Sequence, residues 1–142
     1  MIGIWMPELT VAFGAMLVLL LSIWHQRYLY LIVMAVLSLA SIALLNSDMP
    51  SRIDWAVDSL SVGGKLVLLI ATLVLIPVIQ ERMQQQTMPV GAIYTLLMLA
   101  VLGGMVTVSA NDFLLMFLGI ELVAVPSYIL CSMVAYLSLI HI

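Results

Sequence analysis

The side chains of this 142-residue chain whose types and spacing suit chemistry gather in one apolar run, Phe113 to Tyr136, which carries a carboxylate, Glu121, at its middle. A charge at the centre of a membrane-spanning helix costs a few kcal/mol even on the lenient insertion scale, so such a residue has a partner or a task by default. Glu121 follows Asp112 by nine residues, about 13 Å along a helix at ~1.5 Å per residue, hence near the middle of a hydrocarbon core of ~30 Å. Pro126 lacks an N–H and frees the carbonyl of Leu122, one residue past the glutamate, which permits a kink or a local widening of the helix. A freed carbonyl beside a buried carboxylate is a place for water. Tyr128 shares the glutamate's face together with Phe117, Leu118, Ala124 and Val125, and its hydroxyl falls one to two turns away. In general an apolar surrounding favours a neutral carboxyl and a nearby cation favours the charged one, and a group held between the two influences can take up and release a proton. The chemistry suggested is proton transfer. The plainer alternative is a neutral carboxylic acid that hydrogen-bonds one helix to another, and it stays open at this point. Lys65 is the second candidate, one to two turns into another apolar span. There it can meet a carboxylate inside the bundle, although a long stem turned back to the near interface is the expected arrangement.

The elements that must position these groups follow from composition. Hydrophobic residues make up 65% of the chain and charged residues 8%, against roughly a half and a quarter in a soluble domain. A globule of this size has too little interior for so much apolar surface, so lipid is the solvent for most of the chain. The net charge of −3 is scattered among the connections, which argues against binding of nucleic acid or of an anionic membrane surface.

Apolar runs of near-spanning length, separated by short polar stretches, predict an all-α polytopic membrane protein of about five helices. The expected spans are 8–24, 28–45, 60–80, 90–109 and 112–136. Pro7 opens the first where a missing N–H costs little, and His25-Gln26-Arg27 ends it. Tyr28 and Tyr30 begin the second as interfacial aromatics, and Asn46-Ser47-Asp48-Met49-Pro50 closes it. Pro77 lies inside the third and marks a candidate break. Glu81 to Pro89, with Gln84-Gln85-Gln86, reads as aqueous. The fourth holds Gly103-Gly104, with Ala100 one turn before Gly104, a pattern that lets helices approach closely. Only Asn111 and Asp112 separate it from the fifth, so these two run antiparallel. The beginning lacks a basic n-region and carries Glu8, which reads as a retained span rather than a cleaved signal. Arg27 and Arg82 fall in the connections after the first and third spans, on one side of the membrane, with Arg52 on the other. Counting basic residues makes the first side cytoplasmic and places the N-terminus outside.

No glycine-rich phosphate loop, iron–sulfur cysteine set, haem ligand pair or nucleophile-base arrangement is found in the sequence, and no redox centre or cofactor is expected within the chain. Cys131 reads as a small packing residue. His25 and His141 lack the spacing of a metal site, and the 11 methionines are scattered through the spans as packing residues.

The stretch Ser109-Ala110-Asn111-Asp112-Phe113-Leu114-Leu115-Met116-Phe117-Leu118-Gly119-Ile120-Glu121-Leu122, followed by Pro126-Ser127-Tyr128-Ile129-Leu130, resembles subunit N of bacterial NADH:quinone oxidoreductase, respiratory complex I, one of the antiporter-like subunits. Pro7-Glu8-Leu9 and Asp58-Ser59-Leu60-Ser61 are similar to the same subunit, so the likeness reaches from position 1 to about 136. The resemblance implies that Glu121 is an intramembrane glutamate that pairs with a lysine on a later helix and takes part in proton translocation; Pro126, Leu122 and Tyr128 are the supporting residues by the helix chemistry above. It implies a non-redox subunit of a translocase in the bacterial inner membrane, with membrane-arm subunits as partners. NADH, flavin, iron–sulfur clusters and quinone are then handled by other chains of the complex. Family members have about fourteen spans in two inverted repeats, whereas this chain has about five, so it corresponds to the N-terminal part and is expected to be inactive alone. Gly63-Gly64 stands where the family carries bulkier residues. A subunit of a multisubunit sodium/proton antiporter and a structural membrane module are the alternative functions. The last six residues, Leu137-Ser138-Leu139-Ile140-His141-Ile142, are the translation of CTGTCTCTTATACACATC, the transposase mosaic-end sequence used in library preparation. They are expected to be an adapter-derived tail, with native sequence ending near Tyr136.

Overall fold

The computed structural model describes residues 6–22, 29–45, 58–84 and 89–140, with side chains described throughout these ranges except at 45, 82–84 and 134–140. They form five helices in chain order, α1 Met6–Ser22, α2 Leu29–Leu45, α3 Ser59–Gln84, α4 Val90–Ser109 and α5 Phe113–Ile140. Helix is what lipid demands of such a sequence, because each backbone N–H and C=O finds its partner inside its own segment. Stretches of α3, α4 and α5 are long and apolar enough to cross a membrane; α1 and α2, at 17 residues each, are shorter apolar helices. The architecture is all-α and suits a polytopic membrane protein.

Helix ends follow local chemistry. Asp58 caps α3: its carboxylate oxygen accepts from the Ser61 N–H at 2.8 Å and its carbonyl accepts from the Val62 N–H at 3.0 Å. The Asp112 carbonyl starts α5 by accepting from Met116 N–H at 3.0 Å. At its other end α3 runs to Gln84, past the expected end at Gln80. Glu81, Arg82, Met83 and Gln84 are all good helix formers, so the helix continues for a turn beyond its apolar run. Pro77 does not break α3, nor does Pro126 break α5. A proline removes one hydrogen bond from a ladder that its neighbours otherwise sustain, and in α3 its ring lies on the exposed face.

Helices α1 and α3 each pack against both α2 and α4, which closes a four-helix ring, and α5 lies outside the ring against α4. The core belongs to the ring. Val11, Ala15 and Val18 of α1 meet Leu29, Val33 and Leu37 of α2, Leu69 and Ile76 of α3, and Tyr94, Met98 and Met105 of α4. Within each set the residues are three, four or seven apart, so one face of every ring helix turns inward. The outward faces carry large apolar side chains such as Phe13, Leu39, Leu60 and Val74, as suits a surface whose solvent is hydrocarbon.

His25, Arg27, Arg52 and His141 lie outside the described residues, and the Arg82 side chain is likewise not described. Within the expected tail, α5 includes 137–140, while 141 and 142 are outside the described residues.

Candidate functional site

Glu121 is placed by the joint between α4 and α5. A side chain on Gly103 would meet the backbone of α5, with a Cβ only 2.7 Å from the Val123 nitrogen and 2.8 Å from the Leu122 carbonyl carbon. A Cβ on Gly119 would in turn lie 2.8 Å from the Thr107 nitrogen and 3.1 Å from the Gly103 carbonyl oxygen. The two helices therefore touch backbone to backbone on a glycine from each, and this contact fixes the height of Glu121, two residues past Gly119. Gly104 turns elsewhere, towards Leu68 of α3. Counted from Phe113, Glu121 lies about 12 Å into α5 at ~1.5 Å per residue.

The carboxylate borders a groove of about 390 Å³ between α4 and α5, lined by Leu96 and Leu99 of α4 and by Leu118, Leu122, Pro126 and Ile129 among others of α5. Its walls are almost wholly apolar. Glu121 itself faces out of the bundle, and among the described residues no hydrogen bond or ion pair involves it. Pro126 is buried beside it and Leu122 is half-buried, while Tyr128 is 73% exposed on the outer surface. The structure thus gathers Glu121, Leu122 and Pro126 along one groove and leaves Tyr128 pointing outwards without a described partner. The Ser127 hydroxyl donates to the Val123 carbonyl at 2.7 Å, one turn back beside the proline. Among the described residues no group of three or more His, Cys, Asp and Glu comes together to hold a metal ion.

Lys65 is elsewhere, and it does not snorkel. It is 3% exposed on the inner face of α3, and its Nζ lies 2.5 Å from Oε1 of Glu8, 4% exposed on α1. The stem stays inside because a carboxylate reaches it across the ring, which removes the reason for a buried ammonium to seek water. In the sequence Glu8 marks a retained first span and belongs to the Pro7-Glu8-Leu9 likeness, and neither points to Lys65. A signal was available: α1 and α3 run in the same direction, and each carries one charge of opposite sign near its beginning.

The chain has clear relatives, although no family model matches it. It is 34% identical to NADH-quinone oxidoreductase subunit N of Maricaulis maris over 89% of this chain, and 30% identical to NADH-quinone oxidoreductase subunit N 1 of Aquifex aeolicus over 90%. The chain is similar to subunit N. A chloroplast relative, NAD(P)H-quinone oxidoreductase subunit 2 of Chlorokybus atmophyticus, is 32% identical over 51% of the chain. The chain spans only 28% and 29% of the length of the first two. Similarity to subunit N therefore covers nearly the whole chain and just over a quarter of each of those relatives.

Proposed function

We propose that this chain forms part of a proton-translocating membrane subunit of a respiratory NADH:quinone oxidoreductase, in which Glu121 is a protonatable relay. The observation that carries the reading is the placement of Glu121, about 12 Å into an apolar helix, on the α5 wall of the α4–α5 groove and facing out of the bundle. A carboxylate facing lipid there would be costly, so the arrangement suits a site completed by another membrane element that brings a cation. That element is a lysine-bearing helix of the same subunit. Proton uptake and release at Glu121 then follow the approach of that cation, with the Leu122 carbonyl beside Pro126 as the place for water.

Glu121 as plain interhelical glue is less well supported, because the α4–α5 joint rests on Gly103 and Gly119 and Glu121 makes no described bond across it. In this reading NADH oxidation, with its flavin and iron–sulfur clusters, and quinone reduction belong to other chains of the complex. The partners are the remaining membrane-arm subunits, and the site is the bacterial inner membrane with the N-terminus on the periplasmic side. The test is Glu121→Gln in the full-length subunit, with assembly and proton pumping measured together. Normal assembly with strongly reduced pumping is expected. Normal assembly with unchanged pumping would remove Glu121 from the mechanism.

A further inference from the structure

The Glu8–Lys65 pair lies across the diagonal of the four-helix ring, between helices that face each other rather than sit side by side. Glu8 is the third residue of α1 and Lys65 the seventh of α3, so the pair sits about 3 to 9 Å below the end of the bundle where both helices begin. At that same end Ser61, one turn above Lys65 on the inner face of α3, shares a hydrogen bond of 2.9 Å with the Ser109 hydroxyl at the end of α4. Four buried polar side chains thus gather at one end of the core, while the other two buried hydroxyls, Thr72 and Thr95, are each satisfied by a carbonyl of their own helix, Leu68 and Gly91. Beyond them Val11, Leu37, Leu69, Met98 and Met105 are fully buried and fill the ring. The polar end is therefore closed off from the opposite membrane face by packed hydrocarbon.

The second carboxylate oxygen of Glu8, Oε2, is buried and meets no hydrogen-bond donor among the described residues. Its lone pairs are open inside the ring, next to an ammonium that carries three donors. If the pair served packing alone, apolar side chains of similar volume would fill the same space as well or better. We infer that Glu8 and Lys65 form a second proton-exchange site, separate from Glu121, that communicates with the membrane face where α1 and α3 begin and is sealed from the other. In the exchange an N–H bond of the Lys65 ammonium breaks and an O–H bond forms on Glu8, the electron pair stays on Nζ, and the pair remains uncharged overall. Release of that proton to water at the near face leaves carboxylate and amine, and uptake of another restores the pair. This inference rests on the proposed proton-moving role of the subunit.

The test uses the full-length subunit in its complex, in sealed membrane vesicles, with assembly and protons moved per NADH oxidised both measured. Glu8→Gln and Lys65→Met alone each strand one member of a buried pair, and assembled protein should fall roughly tenfold. Glu8→Met combined with Lys65→Met replaces the pair by hydrocarbon and should restore assembly, while pumping falls roughly twofold or more because a protonatable group is missing. Restored assembly with wild-type pumping would overturn the proposal and leave a packing pair only. Failure of the double variant to assemble also counts against it, since a proton site replaceable by hydrocarbon should not be needed for the fold. Glu121→Gln is measured alongside: wild-type pumping in that variant would defeat the functional reading itself, whereas impaired pumping there with a normal double variant would defeat only the second site.

Discussion

Gly103→Ala tests the joint that positions Glu121. The new methyl carbon would lie 2.7 Å from the Val123 nitrogen, and relief to an ordinary contact of 3.4 Å requires α5 to retreat by about 0.7 Å. The obstruction is backbone, so no rotamer change can absorb it. Overpacking of this kind costs about 1–3 kcal/mol. Two internal comparisons make the figure interpretable. At Gly104 the added carbon meets only the flexible end of Leu68, at 3.1 Å, and at Gly63 it meets nothing within 4 Å. Gly104→Ala should therefore cost under ~1 kcal/mol, because a side-chain tip can yield. Gly63→Ala should be neutral or stabilise by up to ~1 kcal/mol through helix propensity. Reversible SDS unfolding in lipid bicelles, followed by helical circular dichroism, gives the three differences on one scale. If Gly63→Ala destabilises as much as Gly103→Ala, the packing described for α4 and α5 is wrong.

Other substitutions read single contacts in the same assay. Asp58→Ala removes the cap on α3 and should cost about 1 kcal/mol, while Asp58→Asn retains most of the stability. Tyr94→Phe loses the hydrogen bond that the Tyr94 hydroxyl donates to Oε1 of Gln80 at 2.5 Å and should cost about 1 kcal/mol. Ser61→Ala and Ser109→Ala each break the same hydroxyl pair. Each should cost about 0.6 kcal/mol, and the double variant should cost less than the sum of the two.

Much of the fold is legible in the sequence because chain punctuation is chemical. Pro7, the Asn111-Asp112 turn and the polar stretch after Leu45 divide the apolar runs at places where the structure also changes helix. The end of α3 is less legible, since Gln, Glu and Arg satisfy a helix as readily as a solvated turn. Which face of each helix turns inward was not legible at all. In a soluble protein the polar side marks the outside, but here Phe13 and Val11, or Leu39 and Leu37, are equally apolar although one faces out and the other in. Packing shape decides between them, and hydropathy carries no record of shape. The close approach at Gly103 is foreseeable from small-residue spacing, whereas its counterpart Gly119 stands between Leu115 and Val123, with no small residue one turn away to mark it. The fate of Lys65 turned on a partner far away in sequence. A stem that can snorkel will do so only when no carboxylate waits inside the bundle, and the pairing of Glu8 with Lys65 shows only once α1 and α3 are set across from each other. Glu121 was conspicuous by cost alone, and its outward orientation is the feature that no spacing argument supplied.

The most direct test of the account compares Glu121→Asp with Glu121→Gln in the full-length subunit, as protons moved per NADH oxidised in sealed vesicles that contain equal amounts of assembled complex. Aspartate keeps a carboxyl one methylene shorter, and glutamine keeps the shape without a titratable group. A relay at Glu121 predicts that aspartate retains part of the pumping and glutamine loses most of it. Equal pumping by wild type, Glu121→Asp and Glu121→Gln would contradict the claim that Glu121 carries the proton.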